Sequence, residues 1–263
     1  MLRAVLIALV LILASPAYAQ ATLHDIATET RVVDLPGPRH GEERRIYVWA
    51  PPEARGTLPV LYVADGVSGI MMVLAHLRAP MREGRVAPLL IIGLEASPNN
   101  RREEYALGAR RNSYWERHHD WFIGAVLPWA EANVGASTHE RGVAGFSNGG
   151  DWALATAARR PDLFTRVLAH SPVNPLRVAI SDQTQGRWVL SGGRRELDGE
   201  VVTITNNVAR ALNARPIRQC VGPWGHTHSA WTEITPGAVV WLYQLGDAAN
   251  VETATERAHC RMR

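Results

Sequence analysis

The sequence predicts an α/β domain with a mostly parallel central sheet and helices on both faces. Short apolar stretches with strand composition alternate along the chain with helical stretches, and this order is typical of parallel strands joined by helical crossovers. Several apolar stretches end in short turns that contain glycine. In such a sheet, the loops that carry function lie at the carboxyl ends of the strands.

Seven stretches have the composition expected of strands. The first, Arg45–Ala50, alternates between polar and apolar residues, and Pro51-Pro52 ends it because proline cannot donate to a strand ladder. The other stretches are mostly apolar. The seven predicted strands are Arg45–Ala50, Leu58–Ala64, Ala87–Leu94, Val143–Phe146, Arg166–His170, Arg187–Ser191 and, as the last strand, Ile217–Val221.

Five stretches are predicted to be helical. In the longest, His118–Val134, apolar and aromatic residues recur at helical spacing, and Pro128 predicts a kink or a break. No convincing helix lies between Ser171 and Gly186, so one crossover is expected to be a loop. The other predicted helices are Ile70–Leu77, Gly149–Arg160, Val201–Ala214 and, as the last helix, Val239–Leu245.

The first 19 residues are predicted to be a secretory signal peptide. Arg3 provides a positive start, Ala4–Ala14 is a short apolar segment, and Ala17-Tyr18-Ala19 matches an A-x-A cleavage site. An uncleaved N-terminal anchor is the alternative, although the apolar segment is short for a membrane span. After cleavage, residues 20–263 are expected to form one periplasmic or secreted domain without stable membrane insertion.

The charge balance argues against a nucleic-acid partner. The formal net charge is only +3 over 263 residues. The basic residues form no concentrated stripe of the kind that nucleic-acid-binding proteins carry. DNA and RNA are therefore not expected to be partners of this protein.

The two cysteines, Cys220 and Cys260, are predicted to form a disulfide. An even number of cysteines in an exported protein is typically paired. A metal site made from cysteine and histidine is the alternative, but the spacing fits no zinc pattern. The disulfide would tie the C-terminal tail to the segment just before a cluster of histidines.

The stretch Gly145-Phe146-Ser147-Asn148-Gly149 matches the G-x-S-x-G pattern of a nucleophile elbow. Such a turn holds the serine in a strained conformation between a strand and a helix, and side chains two residues to either side would collide. The stretch lies between a predicted strand and a predicted helix. Ser147 is therefore a candidate nucleophile, with a small residue in a tight turn as the alternative.

A serine nucleophile needs a base and a group that orients the base. In folds with this elbow, the chain order is serine, acid, histidine. Glu196 and Asp198 follow a predicted strand and are both candidate acids, and His226 and His228 follow the last predicted strand and are both candidate bases. The order and the topological positions fit a catalytic triad.

With these residues in place, the chain resembles the "putative esterase" branch of the α/β-hydrolases, which includes enterochelin esterases, esterase D, feruloyl esterases and mycolyltransferases. The resemblance extends from about Arg44 to Leu245 and is strongest toward enterochelin-esterase-like proteins. It is carried by the stretches LPVLYVADG, RREEYALG, VLPWAEANVG, RGVAGFSNGG, RRPDLFTRVLAHSP, GGRRE and GHTHSAW followed by WLY.

The resemblance implies an α/β-hydrolase fold without a large lid, and no cofactor or metal. It implies Ser147 as nucleophile, Glu196 as acid and His226 as base, with Trp231 five residues after His226 favouring that histidine over His228. Asp198 stays open as the acid. The oxyanion hole would use the backbone N–H groups of Asn148 and of Gly66, in the Asp65-Gly66 turn.

Several other residues have simpler interpretations. The segment His118-His119-Asp120 could form a metal site with the later histidines, but adjacent histidines at a helix start usually point in different directions. His170 is best read as a hydrogen-bonded residue at a strand end. Trp115, Trp121 and Trp129 are expected to lie in the core. The pairs Arg101-Arg102, Arg110-Arg111 and Arg194-Arg195 would bind an anionic substrate only if they converge.

The predicted function is that of an exported serine hydrolase acting on carboxylic esters, with siderophore-type and other small soluble esters as the candidate substrates. Its partner is thus a small-molecule ester. An acyltransferase with the same chemistry and a catalytically inactive binding protein are the alternatives. The oligomeric state and the natural ester are not determined by the sequence.

Overall fold

The computed structural model describes residues 24–107, 113–175, 180, 185–213 and 215–263. The predicted signal peptide lies outside the described residues. Within them, no helix is both long and apolar enough to cross a membrane.

The strands of the described chain form a single sheet. The strands are β1 (Arg31–Pro36), β2 (Glu43–Trp49), β3 (Leu58–Ala64), β4 (Leu90–Leu94), β5 (Ala136–Phe146), β6 (Arg166–His170), β7 (Arg187–Gly193), β8 (Ile217–Gly222) and β9 (Cys260–Met262). Their order in the sheet is β1-β2-β4-β3-β5-β6-β7-β8-β9, with a parallel centre from β4 to β8 and antiparallel pairs at both edges. The predicted, mostly parallel sheet is confirmed.

Helices connect the strands and cover the sheet. They are α1 (residues 24–29), α2 (Gly66–Leu74), α3 (Arg78–Arg82), α4 (Arg101–Tyr105), α5 (Tyr114–Trp121), α6 (Leu127–Val134), α7 (Asn148–Arg159), α8 (Glu200–Leu212), α9 (His228–Glu233), α10 (Pro236–Tyr243) and α11 (Ala254–His259). Short 3₁₀ turns lie at Leu197–Gly199 and Ala248–Asn250. The helix α7 begins directly after Ser147, as the elbow pattern predicts.

The predicted helix His118–Val134 is divided into two helices. The helix α5 already begins at Tyr114, where the Ser113 hydroxyl accepts a hydrogen bond from the Glu116 backbone N–H. A π-helical turn at Phe122–Val126 then leads into α6, whose first turn contains Pro128. Because proline has no N–H to donate to the preceding turn, the break falls where the sequence predicts it.

Buried side chains on the two faces of the sheet form two separate hydrophobic clusters. Along β3, Val60 and Tyr62 belong to one cluster, whereas Leu61 and Val63 belong to the other. This alternation is what a strand covered on both faces requires, because successive side chains point to opposite sides. The predicted core tryptophans Trp115, Trp121 and Trp129 lie with the first cluster, the last of them only partly buried.

Several short elements were not predicted, among them the helices α1, α3, α4 and α9. The edge strand β1, with its exposed residues, was not predicted, and both β9 and α11 follow the elements that were expected to be last. These short elements have weak patterns of their own, so pairing with a neighbour determines them. Of the expected loop crossover, residues 171–175, 180 and 185–186 are not helical, and its other residues lie outside the described part of the chain.

The predicted disulfide is present. Cys220 of β8 is bonded to Cys260 of β9, and the two residues are also partners in the antiparallel ladder. Closing a loop across 40 residues stabilises a fold by about 4 kcal/mol in the chain-entropy model. The bond adds a covalent link to the ladder that attaches this three-residue edge strand to the sheet.

Candidate active site

Ser147 occupies a strained turn at the carboxyl end of β5. Its backbone has φ 60° and ψ −127°, a conformation that non-glycine residues rarely adopt. A Cβ atom on Gly145 would lie 2.0 Å from the Gly149 carbonyl oxygen, and one on Gly149 would lie 2.9 Å from the Ala64 side chain. Both glycines of the motif are therefore required for the chain to pack this tightly.

A continuous hydrogen-bonded chain runs from Ser147 to a buried carboxylate. The Ser147 Oγ lies 2.8 Å from Nε2 of His226, and Nδ1 of the same ring lies 2.7 Å from Oε2 of Glu196. The three residues follow β5, β7 and β8, so the parallel sheet brings its strand ends together to form the site. With Nδ1 donating to Glu196, Nε2 is free to accept the Ser147 proton.

Burial distinguishes the two candidate acids. Glu196 is only 1% exposed, and its Oε1 accepts hydrogen bonds from the Gly193 backbone N–H at 2.8 Å and from the Ser171 hydroxyl at 2.9 Å. Asp198 is exposed on the 3₁₀ turn that follows. Glu196 is thus the carboxylate that the structure brings to His226.

Trp231 separates the roles of the two candidate histidines. Its ring stands perpendicular to that of His226, with 4.8 Å between the ring centroids, and its Nε1 donates to the Ser171 Oγ at 2.8 Å. Trp231 therefore contacts the histidine directly and supports Glu196 through Ser171. His228 is exposed at the start of α9 and has no such link to the carboxylate in the hydrogen bonds that the structure describes.

The sequence reasoning missed two residues behind this arrangement. One is Ser171, which is fully buried directly after β6 and has φ 50°; its position beside the elbow strand was the available signal. The other is Asp151 in the first turn of α7, which accepts the backbone N–H groups of Val173 and Asn174 at 3.0 Å each. Burial raises the pKa of Asp151 to about 6.

The two predicted oxyanion donors lie at neighbouring helix starts. Asn148 is the first residue of α7 and Gly66 the first residue of α2, and the first N–H groups of a helix have no partner within that helix. The helices are adjacent there, because a Cβ on Gly149 would lie 3.3 Å from the Asp65 carboxylate. Both helix dipoles thus favour negative charge in the same region.

An open cleft of about 630 Å³ surrounds the serine. Its walls combine apolar and polar side chains. The cleft is lined by Asp65, Ser68, Met72, Arg101, Phe146, Ser147, His226, Thr227, His228 and Trp231. The side chain of His226 is 35% exposed, so its ring is accessible from solvent.

Among the described residues of the three arginine pairs, Arg101 and Arg195 line different pockets. Arg101 lines the cleft, but its guanidinium forms an ion pair with Asp65. Arg195 lines a separate groove on the other side of the histidine loop. Arg110 and Arg111 lie outside the described residues. The convergence that anion binding would require is therefore not seen for Arg101 and Arg195.

The other histidines singled out from the sequence, His118, His119 and His170, are buried. His118 is packed against Tyr105 and Trp121, and burial lowers its pKa to about 3. His119 is stacked on Trp115. His170 lies 2.7 Å from the Ser191 hydroxyl, as expected for a hydrogen-bonded residue at a strand end. Over the ranges that the structure describes, no group of three or more acidic, cysteine or histidine side chains could hold a metal ion.

Comparison with known families agrees with this geometry. The sequence model of the family described as "Putative esterase" matches residues 37–236, which is most of the chain. The chain belongs to the putative esterase family. Membership supports ester hydrolysis of small substrates as its general activity, and the matched region contains every residue of the hydrogen-bonded chain described above.

Solved structures of esterases share the fold at low identity. The siderophore hydrolase EstA from Aspergillus nidulans has a TM-score of 0.66 at 13% identity, over 83% of this chain and 95% of that one. An S-formylglutathione hydrolase from Staphylococcus aureus has 0.61 at 14%, over 81% and 98%. The enterobactin esterase from Shigella flexneri has 0.65 at 18%, over 82% and 59%. The chain has the α/β-hydrolase fold.

Proposed function

We propose that this esterase-family protein is an exported serine hydrolase that cleaves carboxylic esters through an acyl-enzyme on Ser147. The observation that carries the proposal is the unbroken series of hydrogen bonds from the Ser147 hydroxyl through His226 to Glu196. A serine in a turn without catalytic function needs no such partners. The strained backbone of Ser147 is explained by the same role.

In the first half of the reaction, His226 Nε2 takes the hydroxyl proton while Oγ attacks the ester carbonyl carbon. Glu196 stabilises the imidazolium that forms, because its carboxylate accepts the Nδ1–H. The backbone N–H groups of Asn148 and Gly66 hold the oxyanion of the tetrahedral intermediate. The intermediate collapses when His226 returns the proton to the departing alkoxide, which leaves as the alcohol.

In the second half, water resolves the acyl-enzyme. The water oxygen attacks the acyl carbon while His226 removes a proton from the water. His226 then protonates Ser147 Oγ as the new tetrahedral intermediate collapses. The products are a carboxylic acid and free enzyme. An acyltransferase would differ only in using an alcohol in place of water.

Small soluble esters, including those of the siderophore type, are the proposed substrates. The open cleft admits them, and Met72, Phe146 and Trp231 offer apolar surface next to the reacting groups. Names of structural neighbours, such as siderophore hydrolase and enterobactin esterase, make siderophore esters a reasonable class to test. Export is supported by the disulfide and by the signal-like N-terminal sequence.

A fluorophosphonate probe tests the serine mechanism directly. The probe should phosphonylate Ser147 with loss of fluoride, and digestion with mass spectrometry should place the adduct on the peptide that contains GFSNGG. Labelling on a different serine, or no labelling of folded protein that hydrolyses esters, would contradict the proposal. Adding an alcohol during turnover distinguishes hydrolase from transferase by the appearance of a new ester.

Glu196→Gln is expected to lower kcat by about 10⁴-fold, because the amide cannot stabilise the imidazolium and favours the wrong histidine tautomer. The matched control is Asp198→Asn, which removes an exposed carboxylate two residues away and should change kcat by no more than about twofold. Steady-state kinetics on a p-nitrophenyl ester measures both variants. Equal losses in the two, or a larger loss in the control, would reject Glu196 as the triad acid.

A further inference from the structure

The turn that carries the Gly66 N–H is held in an unfavourable conformation. Asp65 has φ 71° and Gly66 has φ 56°, so the residue before α2 and the first residue of α2 both have positive φ angles. Only glycine adopts such angles without steric penalty. The surroundings must therefore hold Asp65 in place, and two residues of α4, Tyr105 and Arg101, form three hydrogen bonds with it.

Tyr105 binds the backbone of Asp65. Its hydroxyl accepts the Asp65 backbone N–H at 2.8 Å and lies 3.4 Å from the Leu94 carbonyl oxygen, to which it donates. The tyrosine is fully buried, so this hydroxyl has a fixed position. It fixes the orientation of the peptide unit between Ala64 and Asp65. The next peptide unit, between Asp65 and Gly66, carries the Gly66 N–H.

Arg101 binds the side chain of the same residue. Its Nε and Nη2 atoms both donate to the Asp65 carboxylate, at 2.5 and 2.8 Å. Arg101 and Tyr105 are four residues apart in α4 and lie on one face of that helix. The guanidinium also lies 5.2 Å from the centre of the Tyr105 ring. The same face of α4 thus forms hydrogen bonds with both the backbone and the side chain of Asp65.

The helix α4 is itself anchored to the sheet. Glu104 is 1% exposed and forms an ion pair with Arg44 of β2, which is 3% exposed. The Glu104 carboxylate also accepts the Ser97 backbone N–H at 2.7 Å. A bidentate ion pair with this little exposure resists displacement. The helix α4, whose residues bind Asp65, is therefore attached to strand β2 of the central sheet.

We infer that Arg101 and Tyr105 are positioning residues that hold the Asp65-Gly66 turn so that the Gly66 N–H is aimed at the oxyanion. The inference rests on the proposed function, because it assigns a role in that reaction. It also gives Arg101 a different role from the anion binding considered from the sequence, since two of its donors are occupied by Asp65. Neither residue needs to touch the substrate.

The test compares Tyr105→Phe with Arg102→Ala, which alters an exposed residue of the same helix. Tyr105→Phe keeps the buried ring and removes the acceptor for the Asp65 N–H. We expect kcat to fall about 10²-fold with KM little changed, as for a small misplacement of a catalytic group. The inhibition constant for a trifluoromethyl ketone, which forms a tetrahedral oxyanion on Ser147, should rise by a similar factor. The control should show neither change.

A second variant guards against a fold defect. Arg101→Met removes the grip on the Asp65 side chain without altering the tyrosine, and it should also raise the inhibition constant of the ketone while KM changes little. Thermal unfolding and fluorophosphonate labelling at Ser147 establish that each variant is folded. Parallel rises in KM and the inhibition constant, or no change in either variant, would overturn the inference. A parent enzyme without Ser147 labelling or ester hydrolysis would instead refute the proposed function.

Discussion

Replacing Ser147 with alanine is expected to lower kcat for ester hydrolysis by about 10⁶-fold, the size of effect seen when a serine nucleophile is removed. The alanine has no oxygen to form the acyl-enzyme, and His226 then has no hydroxyl to deprotonate. The cleft and the backbone N–H groups proposed to bind the oxyanion remain in this variant. Its residual hydrolysis rate is therefore expected to exceed the rate of uncatalysed ester hydrolysis in water. Substrate binding should change little, because the hydroxyl is one small part of the cleft.

Steady-state hydrolysis of a p-nitrophenyl ester measures the loss of kcat. Fluorophosphonate labelling measures the loss of the reactive hydroxyl. The control is Ser229→Ala, which alters an exposed serine in the groove on the other side of the histidine loop and should keep both activities. Retention of more than a small fraction of kcat in Ser147→Ala, with product formation proportional to enzyme concentration, would show that another residue performs the attack.

Replacing His226 with alanine is expected to lower kcat by a similar factor of about 10⁶, because nucleophile and base act as a unit. The variant removes the only ring that the described structure places within hydrogen-bonding distance of both Ser147 Oγ and Glu196. His228→Ala is the matched control, two residues along the same loop. Its exposed ring contacts Trp231 rather than the carboxylate, so kcat should stay within about twofold of the parent.

The two variants, His226→Ala and His228→Ala, distinguish His226 from His228 as the catalytic base. If His228→Ala were the more damaging change, the loop would have to rearrange during catalysis to exchange the two rings. Measuring the fluorophosphonate labelling rate of both variants adds an independent readout, because that reaction needs an activated serine but no turnover. A His226→Ala protein that labels as fast as the parent would contradict the role assigned to this histidine.

Local patterns in the sequence were sufficient to predict the centre of the fold. The apolar runs that became β3 and β6 have the predicted bounds, since buried parallel strands carry strong signals. Short edge elements were missed. The strand β1 is largely exposed, and β9 has three residues, so their conformations depend on pairing and on the disulfide rather than on their own composition.

The sequence alone determined that a serine in an elbow, an acid and a histidine follow three different strands in the order a triad needs, because strand ends and glycine spacing are local features. Only the tertiary structure decided which acid and which histidine meet, since Glu196 and His226 are distinguished from their neighbours by burial and by hydrogen bonds to distant segments. The same holds for Ser171 and Arg101, whose partners lie 25 and 36 residues away. Contacts of this range arise from folding and leave no pattern within a short window of sequence.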